Sequence, residues 1–389
     1  MSRDDNVLVL GAGYAGLSCA FRLAARKPTL PVTVVDARDS FCERIRLHQV
    51  ALGYEARSPK LGPWLAQSGI SFIHTRVLGI DAKSRTVLTH EGTLSYRHLV
   101  YALGSDQDPG VPGARLHAAS IASESSARSL ASELVALSRG ARVVIVGGGL
   151  TGLEFAAELA EMRPELEVRL VAREALGTGT LSRSGAAKVR ARLLELGVHL
   201  HECVEVSEVA AGRVIGPQLT LPFDVCVWAT GFAAPGLAKE SGLPTCGANR
   251  LVVDATLRVP SYPEIYGVGD AAQPNVDVGA PALMSCRLGM PAGLHAAENI
   301  AREREGHAPE PWRVQDMLRC MSLGRDAGLI QLHEPNGELR EFSVAGHAAA
   351  WLKEGICRGT FWTLEREAKQ AAHRRGLQPS SKSTMAYAT

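Results

Sequence analysis

The sequence predicts an α/β fold built on two copies of a strand–helix–strand nucleotide-binding unit, followed by a small C-terminal α+β portion. Three observations predict it. Residues 6–36 carry Gly11, Gly13 and Gly16 in a G-x-G-x-x-G spacing between an apolar run and a helical pattern. Residues 142–172 repeat the unit through Gly147, Gly149 and Gly152, all offset by 136 positions. The 389-residue length leaves room for a third unit after both.

In the first copy, Val7 to Leu10 form a short run of the kind buried on both faces of a parallel sheet. From Leu17 apolar residues recur at helical spacing until Pro28, and Val32–Val35 form the next strand, closed by Asp36. Gly11 permits a tight turn, Gly13 lets a pyrophosphate approach the backbone, and Gly16 lets helix and strand pack closely. The helix N-terminus offers N–H donors and partial positive charge to phosphates. Asp36, 20 residues past Gly16, is placed to accept from ribose hydroxyls.

The second copy places a strand at Val143–Val146, a helix over Phe155–Met162 and a strand at Val168–Val171. It ends in Ala172 and Arg173 where the first copy has its acid. An arginine there accommodates a 2′-phosphate, which points to NADP. The alternative keeps Arg173 as a solvated loop residue and gives the ribose to Glu174.

Two more segments form a pair. HLVYALGS (98–105) and VCVWATGF (225–232) each set a buried strand before a small-residue turn, Ala102–Gly104 and Ala229–Gly231. Such turns can pass close beneath a nucleotide. EIYGVGDAA (264–272) ends a strand in Gly-x-Gly-Asp, with Asp270 at the mouth to meet a ribityl or ribose hydroxyl.

Composition narrows the class. With 42 Lys+Arg against 40 Asp+Glu, a net charge of +2 makes no case for nucleic acid. Forty-six per cent apolar and 21% charged residues exclude wholesale disorder. No apolar run approaches the ~18–20 residues that span a bilayer, and the acidic start MSRDD is unlike a signal peptide. A cytoplasmic protein is expected. The 8 cysteines are at least 20 residues apart, so no C-x-x-C motif supports zinc, an iron–sulfur cluster or a local redox disulfide.

These five segments, in this order over about residues 1–305, resemble the two-dinucleotide-binding flavoproteins of the pyridine nucleotide–disulfide oxidoreductase superfamily. The resemblance implies FAD on the first unit and NADH or NADPH on the second, with the second domain inserted into the first. The implied division is 1–115 and 243–308 for the FAD domain, 116–242 for the NAD(P) domain, and 309–389 for a C-terminal interface domain with a polar tail. It also implies Gly11, Gly13, Ala15, Gly16, Asp36, Ala37, Val77, Ala102, Gly104 and Asp270 as FAD-binding residues. Gly147, Gly149, Gly152, Arg173 and Gly231 fall to the nicotinamide nucleotide, with Glu154 near the face where hydride passes.

The chain lacks the disulfide reductases' Cys pair and terminal His-Glu pair. SFCERIRLHQVALG (40–53) looks more like type II NADH dehydrogenases and apoptosis-inducing-factor-like flavoproteins. That likeness makes Arg44, Arg46, His48 and Gln49 pocket candidates, although Arg44 and Arg46 are equally read as an FAD-phosphate clamp or a surface pair. His48 is the candidate proton donor. Within 281–300, Ala282 and Leu283 would lie along the flavin's pyrimidine edge, with a helix entering from about Gly289. Pro291 and Ala292 stand where type II dehydrogenases carry paired glutamines.

After a charged linker (301–312), SLGRDAGLIQLH (322–333), a PNG turn (335–337) and ELREFSVAG (338–346) read as a hairpin. HAAAWLKEGICRGTFW (347–362) reads as a helix with Trp351, Leu352, Ile356 and Trp362 as its apolar residues, and the tail from 363 as frayed. This helix is expected at a dimer or domain interface, or as a peripheral membrane contact.

The expected function is an FAD-dependent NAD(P)H:acceptor oxidoreductase, monomeric or homodimeric. Its second substrate is a small-molecule acceptor, quinone-like or otherwise conjugated, in a role such as tailoring a metabolite. Two alternatives stand beside it. One is a peroxidase or oxidase using Cys42, with a sulfide-oxidising role for Cys286 as a lesser variant. The other is an NAD(P)H-sensing flavoprotein that recruits a protein partner.

Overall fold

In a computed structural model, residues 5–107, 110–274, 284, 286–313, 318–334 and 338–377 are described. The β-rich runs and helical periods of the sequence fold into two parallel sheets that share one design. The first has the order 258–259, 262–267, 98–101, 7–10, 32–36, 71–74, parallel throughout except at its 258–259 edge. Strand Val7–Leu10 thus has Val32–Asp36 on one side and His98–Tyr101 on the other. A parallel sheet opens a crevice at the carboxyl ends where its connections diverge in this way.

The second sheet repeats the device. Arg142–Val146 lies between Glu167–Val171 and Val225–Trp228, with 199–201 and 119–120 outside them, all parallel. A short antiparallel ribbon, 106–107 with 232–233, ties the two sheets together. The fold is α/β with two dinucleotide-binding units, as the sequence indicates.

The helix after each first strand begins at the fingerprint itself, at Tyr14 and Leu150, earlier than the apolar periodicity suggested. The last fingerprint glycines, Gly16 and Gly152, fall in the first turn of each helix and interrupt the apolar period there. The helix Cys286–Arg304 likewise starts before Gly289 and contains Pro291. It lies against the first helix, Tyr14–Arg26, so closely that a Cβ on Gly293 would come 2.1 Å from the Ala15 carbonyl oxygen.

The C-terminal portion differs most from expectation. Instead of a hairpin it is a three-stranded antiparallel sheet, Leu318–Ser322, Gly328–His333 and Leu339–Gly346. The segment read as one strand approach, 322–333, holds only the end of the first strand and, past a bend at 323–327, the whole of the second. The 335–337 turn lies outside the described residues. Residues 378–389 lie outside the described residues. The first part of the tail, 363–374, is not frayed but belongs to one helix that runs from His347 to Arg374. Its inner face carries Phe361, Leu364, Ala368 and Ala371 into the core around the first sheet. Alanine contributes little hydrophobicity, so this stripe is faint in the sequence. Buried Glu367 completes the face and is held by Arg22 Nε and Nη2, each at 2.8 Å. Trp351, Leu352 and Trp362 point outward and are exposed, the reverse of an apolar face turned to the protein. Among the described residues no helix is long and apolar enough to cross a membrane.

Candidate active site

Each fingerprint separates its glycines by what a side chain would meet. Gly11 has φ +100°, and a Cβ on it would lie 2.4 Å from the Ala102 carbonyl oxygen. A Cβ on Gly16 would lie 1.9 Å from the Gly11 oxygen, whereas one on Gly13 would meet nothing within 4 Å. The second copy repeats this pattern. A Cβ would be 2.9 Å from the Ala229 backbone at Gly147 and 2.0 Å from the Gly147 oxygen at Gly152, and would meet nothing within 4 Å at Gly149. Two glycines in each triplet close the strand–turn–helix packing, and the middle one faces an open cradle at a helix N-terminus. Both cradles suit a pyrophosphate held by backbone N–H groups.

Ala15 stands in the first turn of the helix at the first cradle, and the carboxyl ends of the strands lead into Asp36, Ala37, Ala102, Gly104 and Asp270. Val77 begins the strand Val77–Asp81 just past Thr75, whose N–H donates to the Asp36 carbonyl at 3.0 Å. Asp36 accepts from the Ala12 N–H at 2.7 Å and from Arg38 Nη2 at 3.0 Å. Burial pushes its carboxyl up, but Arg38 and Ala12 outweigh that and leave it below the usual carboxylate range. Arg38, unmarked in the sequence reading, pairs with both oxygens of this acid, Nε donating to Oδ1 at 3.2 Å and Nη2 to Oδ2 at 3.0 Å. Ala282 and Leu283 lie outside the described residues.

Arg44 and Arg46 part company. Arg44 donates to the Ser105 carbonyl at 2.6 Å and lies over the Phe232 ring, while Ser105 Oγ donates to Asp270 at 2.9 Å. It therefore bridges the two turn segments, next to Gly104 and Gly231. Arg46 does not open into a pocket and is no surface pair. It is clamped to Glu354 on the C-terminal helix at 2.8 and 3.0 Å and to Glu43 at 3.3 Å. The distant partner, 308 positions on, was invisible in the local motif.

His48 and Glu154 do come together, in a buried cluster where three parts of the chain meet. His48 Nε2 lies 3.9 Å from Glu154 and 3.4 Å from Glu158, one helical turn further on. Lys353, from the C-terminal helix, donates to Glu154, and the Ser322 N–H donates to the same oxygen at 3.0 Å. Gln49 donates to Glu158 at 3.4 Å. Two like charges at i and i+4 weaken a helix, so this pair needs cations brought from elsewhere. Burial pushes the Glu158 carboxyl up, but His48, Ser322 and Lys353 reverse this and hold it down to about 2. Burial likewise works against the Lys353 ammonium, yet Glu154 keeps its pKa raised.

Sequence reading missed Glu158, Ser322 and Lys353. One signal was available: LTGLEFAAELAEM places three acids, Glu154, Glu158 and Glu161, at i, i+4 and i+7 on one face of a mostly apolar helix. Lys353 had none, because its burial follows from helix docking. Cys42 is buried among apolar side chains, and burial pushes its thiol up, away from the reactive thiolate. Arg173 and Glu174 are both exposed at the end of the second unit's strand, while Ala172 packs beneath Gly148.

Comparison with known proteins agrees with this architecture. Residues 5–301 match the family described as pyridine nucleotide-disulphide oxidoreductase. An NADH dehydrogenase-like protein of Mycobacterium tuberculosis is 30% identical over 375 residues, covering 90% of this chain and 92% of the relative. A type II NADH:quinone oxidoreductase of Staphylococcus aureus is 26% identical, covering 92% and 95%. Among solved structures, the sulfide:quinone oxidoreductase of Aquifex aeolicus superposes with a TM-score of 0.82 at 21% identity, covering 93% of this chain and 92% of the other.

Proposed function

This chain belongs to the pyridine nucleotide-disulphide oxidoreductase family, and from that premise we propose that it oxidises NADH or NADPH at bound FAD and reduces a quinone-like acceptor. It is an FAD- and NAD(P)H-using oxidoreductase. The observation that carries the two-nucleotide reading is the pair of matched cradles, each with an open middle glycine between two tightly packed ones. The acceptor class is supported by the likeness to the S. aureus enzyme, which is a type II NADH:quinone oxidoreductase.

Bound FAD supplies two-electron exchange between the nicotinamide nucleotide and the acceptor. The protein's own residues orient and compensate. Gly13 and Gly149 leave backbone N–H groups free to face phosphates. Asp36 and Asp270 hold sugar or ribityl hydroxyls, with Arg38 giving way at the former. Arg44 fixes the turn that carries Ser105 and hence the direction of Asp270. Lys353 and Glu154 form a buried proton-holding pair beside the second cradle. The exposed Trp351, Leu352 and Trp362 form the outer side of the helix that supplies Lys353, a surface suited to an apolar acceptor or to the membrane interface that would contain one.

The test is stopped-flow reduction of the purified holoprotein with NADH and with NADPH, followed by reoxidation against quinones, peroxide, sulfide and O2. Rapid flavin bleaching by one nucleotide and fastest recovery with a quinone are expected. Bleaching by neither nucleotide would overturn the reading, and recovery only with peroxide or sulfide would replace the acceptor.

A further inference from the structure

The helix Tyr14–Arg26 and the last turns of the helix His347–Arg374 flank a cleft of about 690 Å³. That volume suits a small ligand, whose sites measure roughly 300–1,000 Å³. None of the cradle glycines lines it. Its walls carry Arg22, Arg26, Arg366, Gln370, His373 and Arg374, with no carboxylate among the described lining residues. The rest of the lining is Ala25 and Pro28, so no large apolar side chain is offered to an occupant.

The charges around this cleft do not balance. Arg22 holds buried Glu367 through Nε and Nη2, each at 2.8 Å, and reaches Glu298 at 3.1 Å. Arg26 shares Glu298 at 2.8 Å. Arg366 is 3.9 Å from Glu367 and lies over the Trp362 ring. Three guanidinium groups therefore share two carboxylates. Arg374 is exposed and forms no ion pair among the described residues. Residues 378–389 contain Lys382 and neither Asp nor Glu. Both helices end at the cleft, and their two carbonyl ends offset only about one cation between them. Arg375 already serves there, turned inward onto the carbonyls of Gly69 and Leu30 at 2.7 Å and of Ala24 at 3.4 Å. The cleft thus presents an excess of about two positive charges.

We propose that this cleft binds a small soluble phosphate-bearing anion, a phosphomonoester or a pyrophosphate, between Arg26 of the first helix and Arg366 and Arg374 of the last. A phosphate monoester carries a charge of about −1.5 to −2 near neutral pH and three acceptor oxygens, which match the excess and the guanidinium forks. The Gln370 amide adds a neutral donor on the same wall. A lipid headgroup shares this chemistry, but the site is concave and without apolar anchors. The exposed Trp351 and Leu352 stand roughly 20 Å further up the helix. Bound there, the anion ties the helix that begins at the first cradle to the helix that supplies Lys353, and stabilises the folded chain. The site is independent of the acceptor and of coenzyme choice.

The experiment titrates inorganic pyrophosphate into the FAD-loaded full chain by calorimetry at low ionic strength, in wild type, Arg366→Ala and Arg374→Ala. Neither arginine belongs to a nucleotide cradle or to the cluster around Glu154, so flavin reduction by NADH or NADPH should be unchanged. Wild type should bind with a Kd of about 1 mM or tighter, weakened about 10-fold in each variant and further as salt rises. Pyrophosphate should raise the melting temperature of wild type and much less that of the variants. No heat in wild type would overturn the site. Equal affinity in all three proteins would do the same, because the anion would then occupy the second cradle. A second arm measures co-sedimentation with phosphatidylglycerol and with phosphatidylcholine vesicles. Any pelleting should be the same in wild type and Arg374→Ala. Pelleting with phosphatidylglycerol that both variants lose would give the cleft to lipid headgroups and overturn the soluble ligand. Arg374→Ala removes an exposed side chain without an ion pair, so it decides the matter even if Arg366→Ala folds poorly.

Discussion

Lys353 and Glu154, 199 positions apart, are in direct contact inside the protein. The C-terminal helix inserts its only fully enclosed ammonium against the first acid of the second nucleotide-binding helix. Through this contact the C-terminal portion completes a site that the two nucleotide units alone would leave with two adjacent buried carboxylates.

Breaking that pair from one side leaves a buried charge without compensation. Lys353→Met is therefore expected to cost roughly 3–5 kcal/mol in urea unfolding. Combining it with Glu154→Gln should recover part of the loss. A double variant as unstable as the sum of the two singles would show that the contact contributes little coupling.

Acid should reveal Glu158. Its carboxyl is held from an ordinary 4.5 down to about 2, so the folded state binds fewer protons there than the unfolded chain. The stability this group contributes is complete above about pH 4.5 and is lost as the pH falls towards 2. Glu158→Gln should flatten that limb of the melting-temperature profile relative to wild type. Superimposable acid limbs would refute the assignment.

The glycines of one triplet should separate folding from binding. A Cβ at Gly16 collides with the Gly11 carbonyl at 1.9 Å, while Gly13 has nothing within 4 Å. Gly16→Ala is expected to give poorly folded protein. Gly13→Ala should fold with a near-normal far-ultraviolet spectrum and lose FAD at least about 10-fold more readily in equilibrium titration, because the methyl group fills the cradle. Equal FAD affinity in Gly13→Ala would argue against a pyrophosphate in that turn.

Coenzyme choice is testable at Arg173, which is exposed at the end of the second unit's strand. If its guanidinium meets a 2′-phosphate, Arg173→Ala should raise KM for NADPH by about 10-fold and leave KM for NADH within twofold. Unchanged values for both would give the ribose to Glu174 and make Arg173 a solvated loop residue.

The division between what was legible and what was not follows chain distance. Gly11 to Asp36 and Gly147 to Ala172 are each about one strand–helix–strand unit long. The close approaches that require glycine at Gly11, Gly16, Gly147 and Gly152 arise within that unit or against one following strand. Local backbone geometry dictates residue type there, so spacing alone announced two nucleotide cradles and an α/β fold. No comparable constraint marks Lys353, Ser322 or Glu158 as partners, nor Arg46 as a brace to Glu354. Their charges are compensated only when three stretches distant in sequence dock, and the helix from His347 to Arg374 lays its weakly apolar alanines on the core. Short-range sterics wrote the two glycine cradles into the sequence by itself. Burial and charge balance, which exist only in the assembled structure, decided what stands beside them.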